Sequence, residues 1–161
     1  MVKEGKRMNY KEFKDKQQAE FNRLPIFFAF SDKQFEEALR KRGVDPKEAK
    51  GQVIRLGQGG FFLRKDLKEV RAWLDVDHDK ELRDEMEKDP EFARDAFEYE
   101  MFNHEYPINW QGDWDVASCF GSVRYDEFKT GPDYLRELGF SDAVIGMWGV
   151  ARRKVQTAIE W

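Results

Sequence analysis

The sequence predicts an α+β fold, with a small sheet of about three strands in the N-terminal half and a mostly helical remainder. Three short segments rich in bulky apolar residues, at 26–30, 53–56 and 61–63, are bounded by Gly or Pro and are typical of strands, and the segment 26–30 suits a buried strand. Apolar stripes at helical spacing dominate the rest of the chain. Most of these stripes begin at a capping signal and end at Gly or Pro.

The helices follow in order from their stripes and caps. Phe13, Gln17 and Phe21 lie four residues apart and predict a helix over 9–22, which Pro25 ends. Capping residues or a first-turn proline predict later starts at Ser31 with Gln34, Asp45-Pro46, Asp66 with Glu69, Asp89-Pro90, Asp113, Gly131-Pro132, and Ser141 or Asp142. We expect residues 1–8 to form a disordered leader, with Met8 as an alternative start, and residues 9–161 to form a single domain.

Composition excludes several classes of protein. With 14 Phe and five Trp the chain can build a core, which excludes bulk disorder. A single Cys excludes a disulfide framework and a cysteine-built zinc site. No signal peptide is visible, and the longest apolar run, 26–30, is far shorter than the ~20 residues that span a bilayer. A cytoplasmic protein without a membrane partner is the expectation.

Charge is polarised along the chain, although the net charge is only -4. Residues 1–74 carry 18 basic and 11 acidic residues, a net charge of +7. Residues 75–105 carry 4 and 13, a net charge of -9, and residues 106–161 carry 6 and 8, a net charge of -2. This distribution favours a charged partner. The small negative net charge alone would argue against binding of nucleic acid, but the basic N-terminal half weakens that argument.

The acidic block of residues 75–105 predicts either solvated helix faces or a surface that binds a basic or nucleic-acid-binding protein. Spaced carboxylates can occupy the Lys and Arg positions that otherwise hold phosphates. The residues predicted to form this surface are Asp84, Glu87, Glu91, Asp95 and Glu98.

The glycine segment 57–60 (GQGG) predicts a hairpin turn or bulge with positive φ. It does not satisfy a phosphate-binding motif, because Phe61 and Phe62 stand where the Walker or dinucleotide patterns need other residues. With basic side chains nearby, weak anion binding stays open for Gly57, Gly59, Gly60 and Arg64.

Two imidazole pairings are conceivable near residue 104. Glu100 and His104 are four residues apart, which would place a carboxylate and an imidazole on one helix face as a base or metal pair. A helix-end histidine favoured by the macrodipole explains His104 more simply. Cys119 lies in an apolar run and is expected to be a small buried residue, although a nucleophile pair with His104 stays open. The sequence therefore predicts no cofactor and no metal.

Aromatic residues are concentrated around residues 106–114. Trp110 and Trp114 flank a segment with Gly and Asp, and Tyr106 lies just before it. They are predicted either to pin a loop onto the core or to form an exposed anchor for a partner, since Trp and Tyr are frequent at interface hot spots.

The segments YKEFKDKQQAEFNRLPIFFAFSDKQFEEAL (10–39), GQGGFFLRKD (57–66) and NHEY (103–106) resemble a family of uncharacterised small proteins of phages and mobile elements of gut bacteria. The resemblance implies no activity and no functional residues. It implies a context in which small proteins often bind a host protein, host defence machinery included.

The leading hypothesis is a non-enzymatic accessory factor that binds or inhibits a host protein through its acidic surface or its Trp110 and Trp114 loop. The first alternative is a small-molecule or nucleotide-binding enzyme that uses the Gly57–Gly60 turn and His104. The second is a nucleic-acid-binding protein that uses the basic N-terminal half.

Overall fold

A computed structural model describes residues 8–106 and 111–159, and it confirms the α+β prediction. The predicted leader, apart from the exposed Met8, lies outside the described residues. The strands and α-helices of the described residues are α1 (Tyr10–Asn22), β1 (Ile26–Phe28), α2 (Asp32–Lys41), β2 (Val53–Gly57), β3 (Gly60–Leu63), α3 (Leu67–Leu74), α4 (His78–Lys88), α5 (Pro90–Asn103), α6 (Gly112–Ala117), α7 (Gly131–Glu137) and α8 (Asp142–Ile159).

The chain divides into two compact units. We call Lys16–Val76 the sheet unit, and Met1–Asp15 with Asp77–Trp161 the helical unit. The sheet unit holds 13 basic and nine acidic residues, a net charge of +4, whereas the helical unit holds 15 and 23, a net charge of -8. The charge polarisation along the sequence therefore corresponds to a basic sheet unit and an acidic helical unit. The assignment of 9–161 to a single domain stays a prediction.

The sheet is antiparallel, with strand order β1-β3-β2, so the β2–β3 hairpin and the earlier strand share the central β3. One face packs against α2. There Phe27 and Phe61 stack with ring centroids 5.8 Å apart, and Phe35 of α2 lies 4.8 Å from Phe61. Leu39, also on α2, is fully buried in the same cluster. These aromatic contacts hold the sheet on its helix.

The prediction that 26–30 forms a buried strand is wrong in two respects. The strand ends at Phe28, and Phe28 and Phe30 are 52% and 76% exposed, whereas Phe27 and Ala29 are buried. Successive side chains of an extended chain point to opposite sides, and only one side is covered here. The segment therefore places two phenylalanine rings in solvent.

The helical unit has a continuous apolar core in which α5 packs along α8. Phe97 lies at its centre, with ring centroids 5.3 Å from both Phe120 and Trp148. Tyr10, near the start of α1, is fully buried and packs against Phe92 of α5. The aromatic rings thus join the long helices into one packed body.

Most predicted helix starts are confirmed by their capping hydrogen bonds. Ser31, Asp89 and Ser141 each accept a backbone N–H of the first helical turn that follows. Thr130 caps α7 in a reciprocal capping box with Asp133. Asp66 makes no such bond, because a single 3-10 turn precedes α3. Within the described residues, every helix falls short of the length or apolar character that a bilayer crossing requires.

Candidate functional site

The glycine segment between β2 and β3 forms the tight end of a hairpin. Gly57 pairs with Gly60, and the residues between them, Gln58 and Gly59, have φ of 51° and 81°. Positive φ at both central residues matches the turn that suits the twist of a two-residue hairpin. The predicted hairpin turn is confirmed. Its chain continues as a strand, so this turn lacks the helix N-terminus that commonly holds a phosphate.

Arg64 does not lie beside the glycine turn. Gly60 begins β3 and Arg64 follows its other end, where Nε of Arg64 donates a hydrogen bond to the carbonyl of Gly51 at 2.7 Å. The basic side chain that lines a cavity together with Gly57 and Gly59 is Arg55 of β2. The four predicted anion-binding residues are therefore not gathered in one place.

A groove of about 510 Å³ opens beside the turn, a volume within the range of binding sites. We call it the aromatic groove. Its lining residues are Ala29, Phe30, Ser31, Asp32, Phe35, Arg55, Gly57, Gln58, Gly59 and Phe61. The groove is therefore lined by three phenylalanine rings, one cation and one anion, beside the glycine-rich turn.

Phe30 is fixed in the groove by its neighbours on the chain. Ser31 Oγ accepts the backbone N–H of Gln34, and Gln34 Oε1 accepts the backbone N–H of Phe30 at 2.9 Å. The Phe30 ring lies against Gly59, where an added Cβ would stand 2.3 Å from Phe30 Cε1. The missing side chain of Gly59 therefore makes the space in which an exposed ring rests.

Arg55 supplies the positive charge of the groove. Its guanidinium carbon lies 5.6 Å from the centroid of the Phe61 ring, within the range of a cation–π contact. Among the hydrogen bonds and ion pairs between described residues, none engages the side chain of Arg55. Its donors are therefore free to bind a carboxylate or phosphate of a ligand.

The five predicted acidic surface residues each have a partner within the helical unit. The partners are Lys80 for Asp84 (2.8 Å), the Ser141 N–H for Glu87 (2.8 Å), Arg94 for Glu91 (3.0 Å), the Tyr10 N–H for Asp95 (2.8 Å), and Lys154 for Glu98 (3.0 Å). Glu98 is buried, and Glu87 and Asp95 satisfy backbone donors. A basic partner would have to compete with these internal contacts.

A second cluster forms where α5 ends. Glu100, on the last turn, is only 6% exposed, and its Oε2 accepts the Tyr10 hydroxyl at 2.6 Å. Asn103 Nδ2 donates to Glu100 Oε1 at 3.3 Å. Cys119 Sγ lies 3.4 Å from His104 Nε2. The structure therefore brings His104 into one cluster with both Glu100 and Cys119, the two partners that the sequence left open for it.

The Cys119 thiol is poorly suited to act as a nucleophile. Burial and the negative charge of the neighbouring Glu100 raise the pKa of Cys119 to about 12. Nucleophilic cysteines have lowered pKa values, because the thiolate is the reactive form. The cluster therefore gives no support to cysteine-based catalysis.

Trp114 is attached to the fold. Its Nε1 donates to the Val123 carbonyl at 2.9 Å, its ring makes an edge contact with Tyr125, and it packs against the core. Trp110 lies outside the described residues. For Trp114 the contacts favour the pinned-loop interpretation over the exposed anchor.

Residues 9–129 match the model of DUF7659, a family of unknown function. The chain belongs to this family. The DUF7659 match includes the whole sheet unit with its aromatic groove, and also Tyr10, Glu100, His104 and Cys119, whereas α7 and α8 lie beyond it. A search of curated proteins and of solved structures found no match to the chain.

Sequence reasoning did not select Phe30, Phe35 or Arg55 as site residues. The available signal was the alternation within 26–30, which separates the exposed Phe28 and Phe30 from the buried Phe27 and Ala29. Gly59, two residues before Phe61, marked the turn but not the ring that rests on it.

Proposed function

We propose that this DUF7659 protein is a non-enzymatic binding protein whose aromatic groove captures a short segment of a partner protein. The segment presents an apolar side chain next to a carboxylate. The observation that carries the proposal is the groove itself, where Phe30, at 76% exposed, lies with two further phenylalanine rings and with Arg55, whose guanidinium has no hydrogen bond or ion pair among the described residues. Isolated exposed apolar residues are ordinary, but a concave aromatic cluster marks an interaction site.

Charge complementarity supports an acidic segment as the occupant. Arg55 has no carboxylate partner among the described residues, and the sheet unit carries a net charge of +4. A carboxylate beside Arg55 would form a charge-assisted hydrogen bond, while an apolar side chain would cover the rings of Phe30 and Phe61. Burial of one such side chain is worth about 1.5–3 kcal/mol, which corresponds to more than tenfold in affinity.

The same lining argues against a nucleic-acid strand. Binding of a phosphate backbone needs several Lys or Arg side chains along one track. The lining of the aromatic groove holds one cation, Arg55, and one anion, Asp32. A groove lined by one cation and one anion suits a peptide better than a polyanion.

A host protein is the partner that we propose, with defence machinery as one class of it. The support is the resemblance of segments 10–39 and 57–66 to proteins of phages and mobile elements, and these segments supply every lining residue of the aromatic groove except Arg55. Small proteins of this kind often bind a host protein.

The test is selection of peptides from a random library displayed on yeast, with the full chain as bait, followed by fluorescence polarisation with the enriched peptides. We expect a consensus with an apolar residue flanked by Asp or Glu. Phe30→Ala should weaken its binding at least about tenfold, as at interface hot spots. Arg55→Glu should do the same through charge repulsion. Phe128→Ala is the matched control, because Phe128 is 87% exposed and lies in the helical unit.

Four outcomes would contradict the proposal. One is a library with no enriched sequence. Another is an enriched peptide whose affinity is changed by neither Phe30→Ala nor Arg55→Glu. The third is enrichment of a basic peptide whose binding is abolished by Glu91→Lys and not by the groove variants. That result would assign binding to the acidic helices. The fourth is salt-dependent binding of single-stranded DNA or RNA that these groove variants abolish.

A further inference from the structure

The cluster at the end of α5 contains three metal-ligating groups of different chemistry. Glu100, His104 and Cys119 each offer one donor atom, and these atoms all lie within 4.8 Å of one another. Glu100 and His104 are four residues apart and project from the same side of the helix end. Cys119 joins them from the 3-10 turn that follows α6. Two separate segments thus aim their donors at one point.

The distance between the sulfur and nitrogen donors matches the coordination sphere of zinc. Zinc binds sulfur at about 2.3 Å and imidazole nitrogen at about 2.0–2.1 Å, so two such ligands at a tetrahedral angle stand about 3.5 Å apart. The distance between Cys119 Sγ and His104 Nε2 is 3.4 Å. Thiolate, imidazole and carboxylate together favour zinc over magnesium or calcium, which prefer oxygen ligands.

Glu100 is a buried carboxylate that meets only neutral groups in the described contacts. Tyr10 and Asn103 donate hydrogen bonds to its two oxygens, and none of the ion pairs between described residues includes it. A buried carboxylate is costly without a compensating charge, which a cation would supply. Hydrogen bonds from outer side chains are also how proteins orient metal-binding carboxylates.

We infer that Glu100, His104 and Cys119 form a zinc site, contrary to the sequence prediction of no metal. Binding exchanges the proton of the Cys119 thiol for the Zn–S bond and releases that proton to solvent. Tyr10 holds the Glu100 carboxylate in place as a positioning residue. Three protein ligands leave a fourth position for water or for an atom of another molecule. His104 and Cys119 are partly exposed, so an ion can reach them from solvent.

The test uses the full chain stripped of metal and titrated with Co²⁺ and then Zn²⁺. We expect one equivalent of Co²⁺ to produce tetrahedral ligand-field bands and a thiolate charge-transfer band, both lost when Zn²⁺ displaces cobalt. His104→Gln and Cys119→Ser should each weaken Zn²⁺ binding, measured by chelator competition, by at least about a hundredfold. His78→Gln is the control, because it removes the other histidine of the chain.

Circular dichroism of each variant without metal shows whether it is folded, and Glu100→Gln offers a further ligand variant of nearly the same shape. Wild-type protein without the charge-transfer band would overturn the zinc site. So would zinc affinity that survives in both His104→Gln and Cys119→Ser. If the variants change thermal stability alone, the cluster is a hydrogen-bond network without metal. The zinc ligands and the lining of the aromatic groove belong to different units and share no residue, so neither test decides the other.

Discussion

Replacing Phe97 by alanine is expected to lower the free energy of unfolding by about 3–5 kcal/mol. Phe97 is fully buried on α5, and its ring makes edge contacts with Phe120 and Trp148. Truncation removes these contacts and leaves a cavity that the packed helices can only partly close. Urea unfolding followed by circular dichroism measures the loss.

Phe102→Ala is the matched control for this change, because Phe102 lies on the same helix and is 48% exposed. Phe102→Ala should lower the free energy of unfolding by less than about 1 kcal/mol, as surface substitutions in general do. Equal losses for Phe97→Ala and Phe102→Ala would mean that the α5–α8 core is not where the helical unit gains its stability.

Gly131→Ala is expected to cost about 1–3 kcal/mol through overpacking. A Cβ at this position would stand 2.2 Å from both Cε2 and Cζ2 of Trp148, which is buried and packed on Phe97. The indole is rigid, so either α7 or the tryptophan has to move. Thermal unfolding measures the loss of stability, and a change in tryptophan fluorescence, compared with that of a Trp148→Phe background, reports the movement of Trp148.

Gly146→Ala, on α8, is expected to stabilise the protein, in contrast to Gly131→Ala. A Cβ there meets nothing within 4 Å, and alanine is favoured over glycine within a helix by about 1 kcal/mol. The variant should therefore unfold at a higher temperature than the wild type. If Gly131→Ala and Gly146→Ala shifted the melting temperature in the same direction, the close packing of α7 on Trp148 would be contradicted.

Local signals predicted most of the elements. Ser31 and Asp89 cap helices as expected, and the Gly57–Gly60 segment turns the chain between two strands. These features depend on hydrogen bonds and φ values within a few residues, which is why spacing and residue type suffice to predict them.

The sites depend on long-range packing, and there the sequence was less informative. Cys119 meets His104 only because the chain folds back through α6, and no motif encodes that return. Phe30 was predicted to be buried, because a short apolar run does not show which side of a small sheet stays uncovered. The acidic residues were correctly placed on helices, but Glu98 and Asp95 had partners on distant elements.

The most direct test of the binding groove is the affinity of the selected peptide for Gly59→Ala and Gly51→Ala. Both glycines have positive φ, 81° and 83°, so alanine imposes similar backbone strain at either position. Only at Gly59 does the new Cβ displace the Phe30 ring, since nothing lies within 4 Å at Gly51, which does not line the aromatic groove. Fluorescence polarisation should show a loss of about tenfold or more for Gly59→Ala and unchanged affinity for Gly51→Ala. Equal affinities of the two variants would contradict the role of the aromatic groove.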